Sequence, residues 1–167
     1  GRPVLTYFGR DSLAEMKGKM VVAFFVIMGV LYLAFRSVQG MLVPMLTALL
    51  STLWCMGTVG AVGMPVDNWN SFVPILVMAI AAGHSAQIMK RYYEELERLG
   101  ENRAAVIEAT TRIGGVMMAA GATATLGFSA LALSHTPGVR HFGLTTAFGI
   151  VSAMALEMTF IPALRSL

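Results

Sequence analysis

Five stretches of this chain are apolar for long enough to cross a lipid bilayer, and nothing else in the sequence restricts the fold as much. A spanning helix takes roughly 17–25 residues. The stretches run about Met20–Phe35, Met41–Val62, Phe72–Met89, Gly115–Leu133 and Phe142–Leu164. Lipid offers no partner to a backbone N–H or C=O, so segments of this kind must close their hydrogen bonds internally as helix. The charge content agrees: 13% of residues are charged, against about 25% in a soluble domain. The expected class is therefore an all-α membrane protein.

The polar residues between these stretches set the boundaries. Ahead of the first, Ser12–Glu15 reads Ser-Leu-Ala-Glu, a capping-box pattern that starts a helix outside the bilayer and carries it inward. Between the third and fourth, Lys90–Arg112 is polar. Gly100 is placed to end one helix and Asn102 to cap a second, short one. Glu94 with Arg98, and Glu108 with Arg112, stand four apart, as solvated helix pairs do. Ala105, Val106, Ala109 and Ile113 share an apolar face, so this short amphipathic helix is expected to lie along the membrane surface.

Cations set the orientation. With the Lys90–Arg112 connection cytoplasmic, Arg36, Lys90, Arg91, Arg98, Arg103, Arg112 and Arg165 fall on that side; Arg2, Arg10, Lys17, Lys19 and Arg140 fall on the other. The densest positive loop decides, which puts the N-terminus outside and the C-terminus in the cytoplasm. A start at Gly1 and an odd number of spans read as a piece of a longer chain. Small residues recur at packing distances: Gly57, Gly60 and Gly63 on the second span, Ala79 with Gly83 and Ala82 with Ala86 on the third, and Gly115 with Ala119, Gly121 with Thr125 and Thr123 with Gly127 on the fourth. Small residues let helix backbones approach where no hydrophobic force joins them. The helix-packing glycines are accordingly expected at Gly57, Gly60, Gly83, Gly121 and Gly127.

A few polar side chains sit inside the spans. His84 precedes Lys90 by six residues, about 9 Å of helix, and Glu157 precedes Arg165 by eight, about 12 Å. The third and fifth spans run in the same direction, so the two groups lie at similar depth. Gln87 and Arg91 continue a stripe from His84 at i+3 and i+7. Ionisable groups at such depth usually face the protein interior and serve ion or proton pathways. Burial penalises the charged form and pairing rewards it, so a balanced pair can exchange protons near neutral pH. The residues also fit a second reading, in which His84 is a packing histidine bonded to a hydroxyl and Glu157 a protonated structural acid. Thr123 and Thr125 are candidate relay hydroxyls, or simply bond to carbonyls of their own helix. His135 and His141, in the turn Ser134–Gly143, could hold a metal or sense pH, though their position also suits interfacial polar residues. Cys55 is isolated in an apolar run, so no disulfide framework or metal cluster is expected within the chain. The thirteen methionines suit flexible packing. Neither HExxH nor GxSxG is present, and an intramembrane enzyme is the least expected class.

Three segments together resemble one transmembrane half of a resistance–nodulation–division (RND) superfamily transporter, closest to the MMPL-type exporters that include hopanoid and sterol-lipid carriers. They are "LAFRSVQGMLVPMLTALLSTLWCMGTVGAVGMPVD" (Leu33–Asp67), "GHSAQIMKRYYEEL" with Arg-Tyr-x-Glu-Glu at Arg91–Glu95, and "HFGLTTAFGIVSAMALEMTFIPAL" (His141–Leu164). The resemblance makes the five spans helices two to six of a six-helix half, and residues 1–16 the last piece of an extracytoplasmic porter domain. It implies export of lipids or other hydrophobic compounds from a bacterial inner membrane, driven by the proton gradient with no bound cofactor. Implied partners are the first helix, the porter domain and a second half of the same protein, membrane lipids, a hydrophobic substrate and periplasmic proteins; nucleic acid is not among them. Many family members carry an aspartate and a second polar residue on helix four, at positions corresponding here to Gly83 and His84. The aspartate is missing, which leaves His84, with Glu157, as the replacement carrier, or else this half has no proton site and the second half carries it. Two further readings share the fold: a lipid- or sterol-binding sensor that does not pump, and a protein-translocation accessory.

Overall fold

A computed structural model describes residues 2–64 and 69–166, with side chains from residue 17 onward. It contains five long helices: α1 (Arg2–Phe35), α2 (Val38–Val62), α3 (Val73–Leu99), α4 (Asn102–Ala130) and α5 (Pro137–Ser166). Single 3-10 turns, Asn70–Phe72 and Leu131–Leu133, lead into α3 and follow α4. Each of the five is long and apolar enough to cross a membrane. The chain is a multi-pass, all-α membrane protein.

The corners follow from local chemistry. At the first, Arg36 takes φ 48° and the hydroxyl of Ser37 accepts a hydrogen bond from the Gly40 N–H at 3.1 Å, capping α2. Gly40 is required there, because a Cβ would come within 2.7 Å of Cβ of Phe35. Gly100, at φ 69°, ends α3 as expected and returns its N–H to the Leu96 carbonyl at 2.9 Å.

Three boundary expectations change. Helix α1 begins at Arg2, so Ser12 lies within it and does not start it; the side chains of Ser12 and Glu15, like those of the whole segment 2–16, lie outside the described residues, as do residues 65–68. Asn102 is the first residue of α4 and not its cap. It accepts a hydrogen bond from the Tyr92 hydroxyl at 2.7 Å and donates to the Arg165 carbonyl at 2.8 Å, tying α3, α4 and α5 together. The separate surface helix is also absent. Residues 102–130 form one unbroken helix, since nothing after Asn102 stops it. At 1.5 Å per residue α3 and α4 are each about 40 Å long, against a hydrocarbon core of about 30 Å, so this hairpin extends past the bilayer. Ala105, Val106 and Ala109 face inward, buried with Ile88, Met89, Tyr92 and Ile161.

Helices α3 and α5 run parallel without slipping. Val77 meets Gly149, His84 meets Glu157, and Tyr93 meets Arg165. The sequence separation is 72 for Tyr93 and Arg165 and the same to within one residue for the other two. Gly149 makes the close approach possible, because an added Cβ would collide with Val77 and reach 3.0 Å from the Cys55 sulfur. Gly143 does the same against Leu131 and the Phe128 carbonyl. Of the glycines expected to pack, only Gly121 does, against Met154. Gly57, Gly60, Gly83 and Gly127 are exposed with nothing near the position of a Cβ. Their faces meet no other described helix. Small spacing marks a helix that can be approached, not one that is.

Candidate functional site

The α3–α5 register brings His84 and Glu157 together. Nδ1 of His84 lies 3.3 Å from Oε2 of Glu157; Glu157 is fully buried and the His84 side chain is 17% exposed. The contact is within ion-pair reach but off the line a hydrogen bond needs, and neither carboxylate oxygen receives a hydrogen bond from another described residue. One proton shared by the two groups leaves the pair neutral. A second proton makes it a cation, and loss of the first makes it an anion, both costly in an apolar interior. The nearest cations along α3, Lys90 and Arg91, are about 9–11 Å farther along the helix. Arg91 is already committed to Glu94 at 2.9 Å and Glu95 at 2.6 Å. A change in protonation is therefore not absorbed by a neighbouring charge.

The other expected relay residues lie elsewhere. Gln87 is exposed and lines a cleft on the outer side of α3. Thr123 is exposed and donates to the Ala119 carbonyl of its own helix at 2.9 Å. Thr125 lines a groove between α4 and α5 with Met118, Leu126 and Val151. Because α4 runs antiparallel to α5 and Gly121 is level with Met154, Thr123 and Thr125 sit about 8 and 10 Å along the axis from Glu157.

Buried hydroxyls on α2, which sequence reasoning passed over, come nearer. Thr47, Ser51 and Cys55 form an i, i+4, i+8 stripe, all fully buried. The Cys55 thiol lies 3.6 Å from the Thr145 carbonyl of α5, so the stripe faces that helix. Stepping back four and eight residues on antiparallel α2 matches stepping forward from Gly149 to Ala153 and Glu157, which places Thr47 level with the carboxylate. Thr47 donates to the Val43 carbonyl at 2.9 Å and Ser51 to that of Thr47 at 2.8 Å, which leaves their oxygens free to accept. The even spacing of three small polar side chains in an apolar span was the available signal. Ser85, next to His84, is also fully buried.

A second charged cluster stands at the α3–α4 end. Glu95, 2% exposed, is held by Arg91 and Arg98 at 2.6 Å each, with Arg112 at 3.8 Å. Glu108 pairs with Arg112 at 2.5 Å as expected. Arg98, expected on Glu94, turns to Glu95, and Glu94 is taken by Arg91. The hydrogen bond from Arg112 holds the Glu108 carboxyl below the usual carboxylate range, against a smaller opposing effect of desolvation. At the opposite end His135 is exposed in the α4–α5 connection, whereas His141, expected in that turn, lies half-buried near the start of α5, which already begins at Pro137. Among the described residues no group of His, Cys, Asp and Glu is arranged to hold a metal ion.

Residues 10–167 match the model of the MMPL family. A membrane protein of Methanocaldococcus jannaschii, MJ1562, is 29% identical over 81% of this chain, which spans 35% of that protein. Two Streptomyces coelicolor proteins, each named only as a membrane protein, are also similar. SCO0839 is 31% identical over 92% of the chain, and ActII-3 is 26% identical over 86%. The chain spans about a third of the first relative and under a quarter of the other two, 23% and 21% of their lengths.

Proposed function

The chain belongs to the MMPL family, and from that premise we propose that it forms part of a proton-driven exporter of lipids or other hydrophobic compounds, with His84 and Glu157 as the proton-loading pair. The observation that carries the reading is an acid and an imidazole facing each other at 3.3 Å between two parallel spanning helices. Gain or loss of a proton there changes the net charge held between α3 and α5, and so the relative free energy of packed and hydrated arrangements of those helices. That is the kind of two-state element through which a proton gradient can drive motion. The buried stripe Cys55–Ser51–Thr47 supplies a thiol and two hydroxyl groups that lead, on the α2–α3 side, to the level of the pair. In this reading the α3–α4 end is cytoplasmic, the membrane is a bacterial inner membrane, and a porter domain and a second transmembrane half complete the protein.

The test is proton flux into proteoliposomes, followed with an enclosed pH dye, alongside efflux of a fluorescent lipid. His84→Ala and Glu157→Gln are expected to insert normally and to abolish gradient-driven flux. Undiminished flux in either variant overturns the assignment. A second reading, a lipid-binding sensor without pumping, is favoured by Gly83 standing where many relatives carry the proton-loading aspartate. It predicts lipid binding without proton flux in the unmodified protein.

A further inference from the structure

Two prolines interrupt spanning helices from within, Pro44 in α2 and Pro162 in α5. Each leaves the carbonyl four residues back, of Gly40 and of Met158, without its helical partner. Each also has a threonine three residues away that bonds back along its own helix. Thr47 donates to the Val43 carbonyl at 2.9 Å and Thr159 to the Ala155 carbonyl at 2.7 Å, a contact that bends helices. Neither α3 nor α4 has a proline beyond its first turn. The two breaks lie close in depth. Thr47 is level with Glu157, and Pro44 and Pro162 are three and five residues from those positions, about 4.5 and 7.5 Å, both toward the α3–α4 end.

The short pieces beyond the prolines are tied down. On α5, the Arg165 guanidinium lies over the rings of Tyr92 and Tyr93, 5.1 and 5.6 Å from their centroids, and donates to the Tyr93 hydroxyl at 3.3 Å. The Arg165 carbonyl accepts from Asn102 of α4 at 2.8 Å. On α2, Gly40 closes on Phe35 and Val43 is buried with Ile88 and Met89 of α3. On the other side of the prolines the long segments of α2 and α5 meet through Cys55, Thr145 and Gly149.

We infer that Pro44 and Pro162 form a paired hinge, on which the long segments of α2 and α5 tilt together against α3 while their ends at the α3–α4 side stay fixed. The inference rests on the proton-loading reading for its trigger, a change of charge at His84 and Glu157, and goes beyond it in saying which backbone gives way. The elements packed around Glu157 add no titratable group: α2 brings Thr47 and Ser51, and α4 brings Gly114 against Met158 and Gly121 against Met154. Lys90 and Arg91 on α3 and Arg165 on α5 stand about 9–12 Å along the axis, and Cys55 about 12 Å on the other side.

Spin-label distances in lipid nanodiscs test it, in a Cys55→Ser background. One pair of labels, Ala79→Cys with Leu144→Cys, spans α3 and the long segment of α5; the other, Leu99→Cys with Leu164→Cys, spans α3 and the piece beyond Pro162. All four positions are exposed. Between pH 8 and pH 5 the first distance is expected to change by about 2 Å, the size of an interface helix shift, and the second to stay constant. Leu144 lies about 27 Å from Pro162 along α5, so a tilt of about 4° is enough. Pro44→Ala with Pro162→Ala regains both helical hydrogen bonds, so the fold is kept, as circular dichroism checks, and the change is expected to vanish. No change in the first distance overturns the hinge, as does an equal change in both pairs or one that survives the two proline substitutions. A change that the prolines control but Glu157→Gln leaves intact supports the hinge and refutes the proton-loading pair, so the two failures are told apart.

Discussion

Changing Glu157 to Gln removes a charge while keeping the shape of the side chain, and its effect on stability depends on pH. At 3.3 Å a full ion pair with His84 in an effective dielectric of 20 has a Coulomb energy of about 5 kcal/mol. Desolvation offsets much of that, and the exposed part of His84 screens more, so a net of about 2 kcal/mol is expected when the imidazole is protonated. At pH 8 the imidazole can stay neutral beside Gln, and the variant should melt close to the unmodified protein. At pH 5 the imidazolium keeps its counter-charge only in the unmodified protein. The deficit of the variant should therefore open as pH falls, to about 2 kcal/mol, or about 4–8 °C in melting temperature for a chain of this length. The assay is built in: Cys55, the one cysteine of the sequence, is fully buried, so a thiol-reactive fluorogenic dye reports unfolding in detergent. A constant offset between variant and unmodified protein from pH 8 to pH 5 would refute coupling between the two groups.

The other predictions are local. Gly149→Leu should cost about 1–3 kcal/mol by driving α3 from α5, whereas Gly57→Ala, with nothing in reach of the new Cβ, should be neutral or slightly stabilising; the same dye assay separates them. Tyr92→Phe loses the 2.7 Å hydrogen bond to Asn102 and should lower stability by about 1 kcal/mol, read as a melting shift of about 2–4 °C. Glu108 has its carboxyl held down by Arg112, so its contribution is present above the ordinary glutamate range and is lost as pH falls below that range. Hydrogen exchange at the start of α4, corrected for intrinsic rates, should accelerate there; unchanged protection would refute the pairing.

Much of the site was legible because depth along a spanning helix is a matter of counting. His84 and Glu157 could be placed at one level from their distances to Lys90 and Arg165, and the parallel direction of α3 and α5 followed from the number of crossings. Facing was not legible in the same way. Gln87 shares a stripe with His84 yet turns to the outer cleft, and Thr123 and Thr125 were on the right helix at the wrong height. Glu95 read as one of several solvated acids, and its burial under three arginines depends on α4 standing upright beside α3.

The number of membrane-crossing segments, their place along the chain and the membrane as their solvent followed from the sequence alone, because closing backbone hydrogen bonds in lipid is a local requirement that each segment meets for itself; how far α1 and α4 continue beyond the apolar stretches did not. Which face of each helix is inside was settled only in the tertiary structure. In water, apolar periodicity marks the buried face. In lipid both faces are apolar, so the pattern that would announce packing is erased. That is why Gly57, Gly60, Gly83 and Gly127 looked like contacts yet meet no other described helix, while Gly149, unremarked in the sequence, lets α3 and α5 come close enough for His84 to meet Glu157.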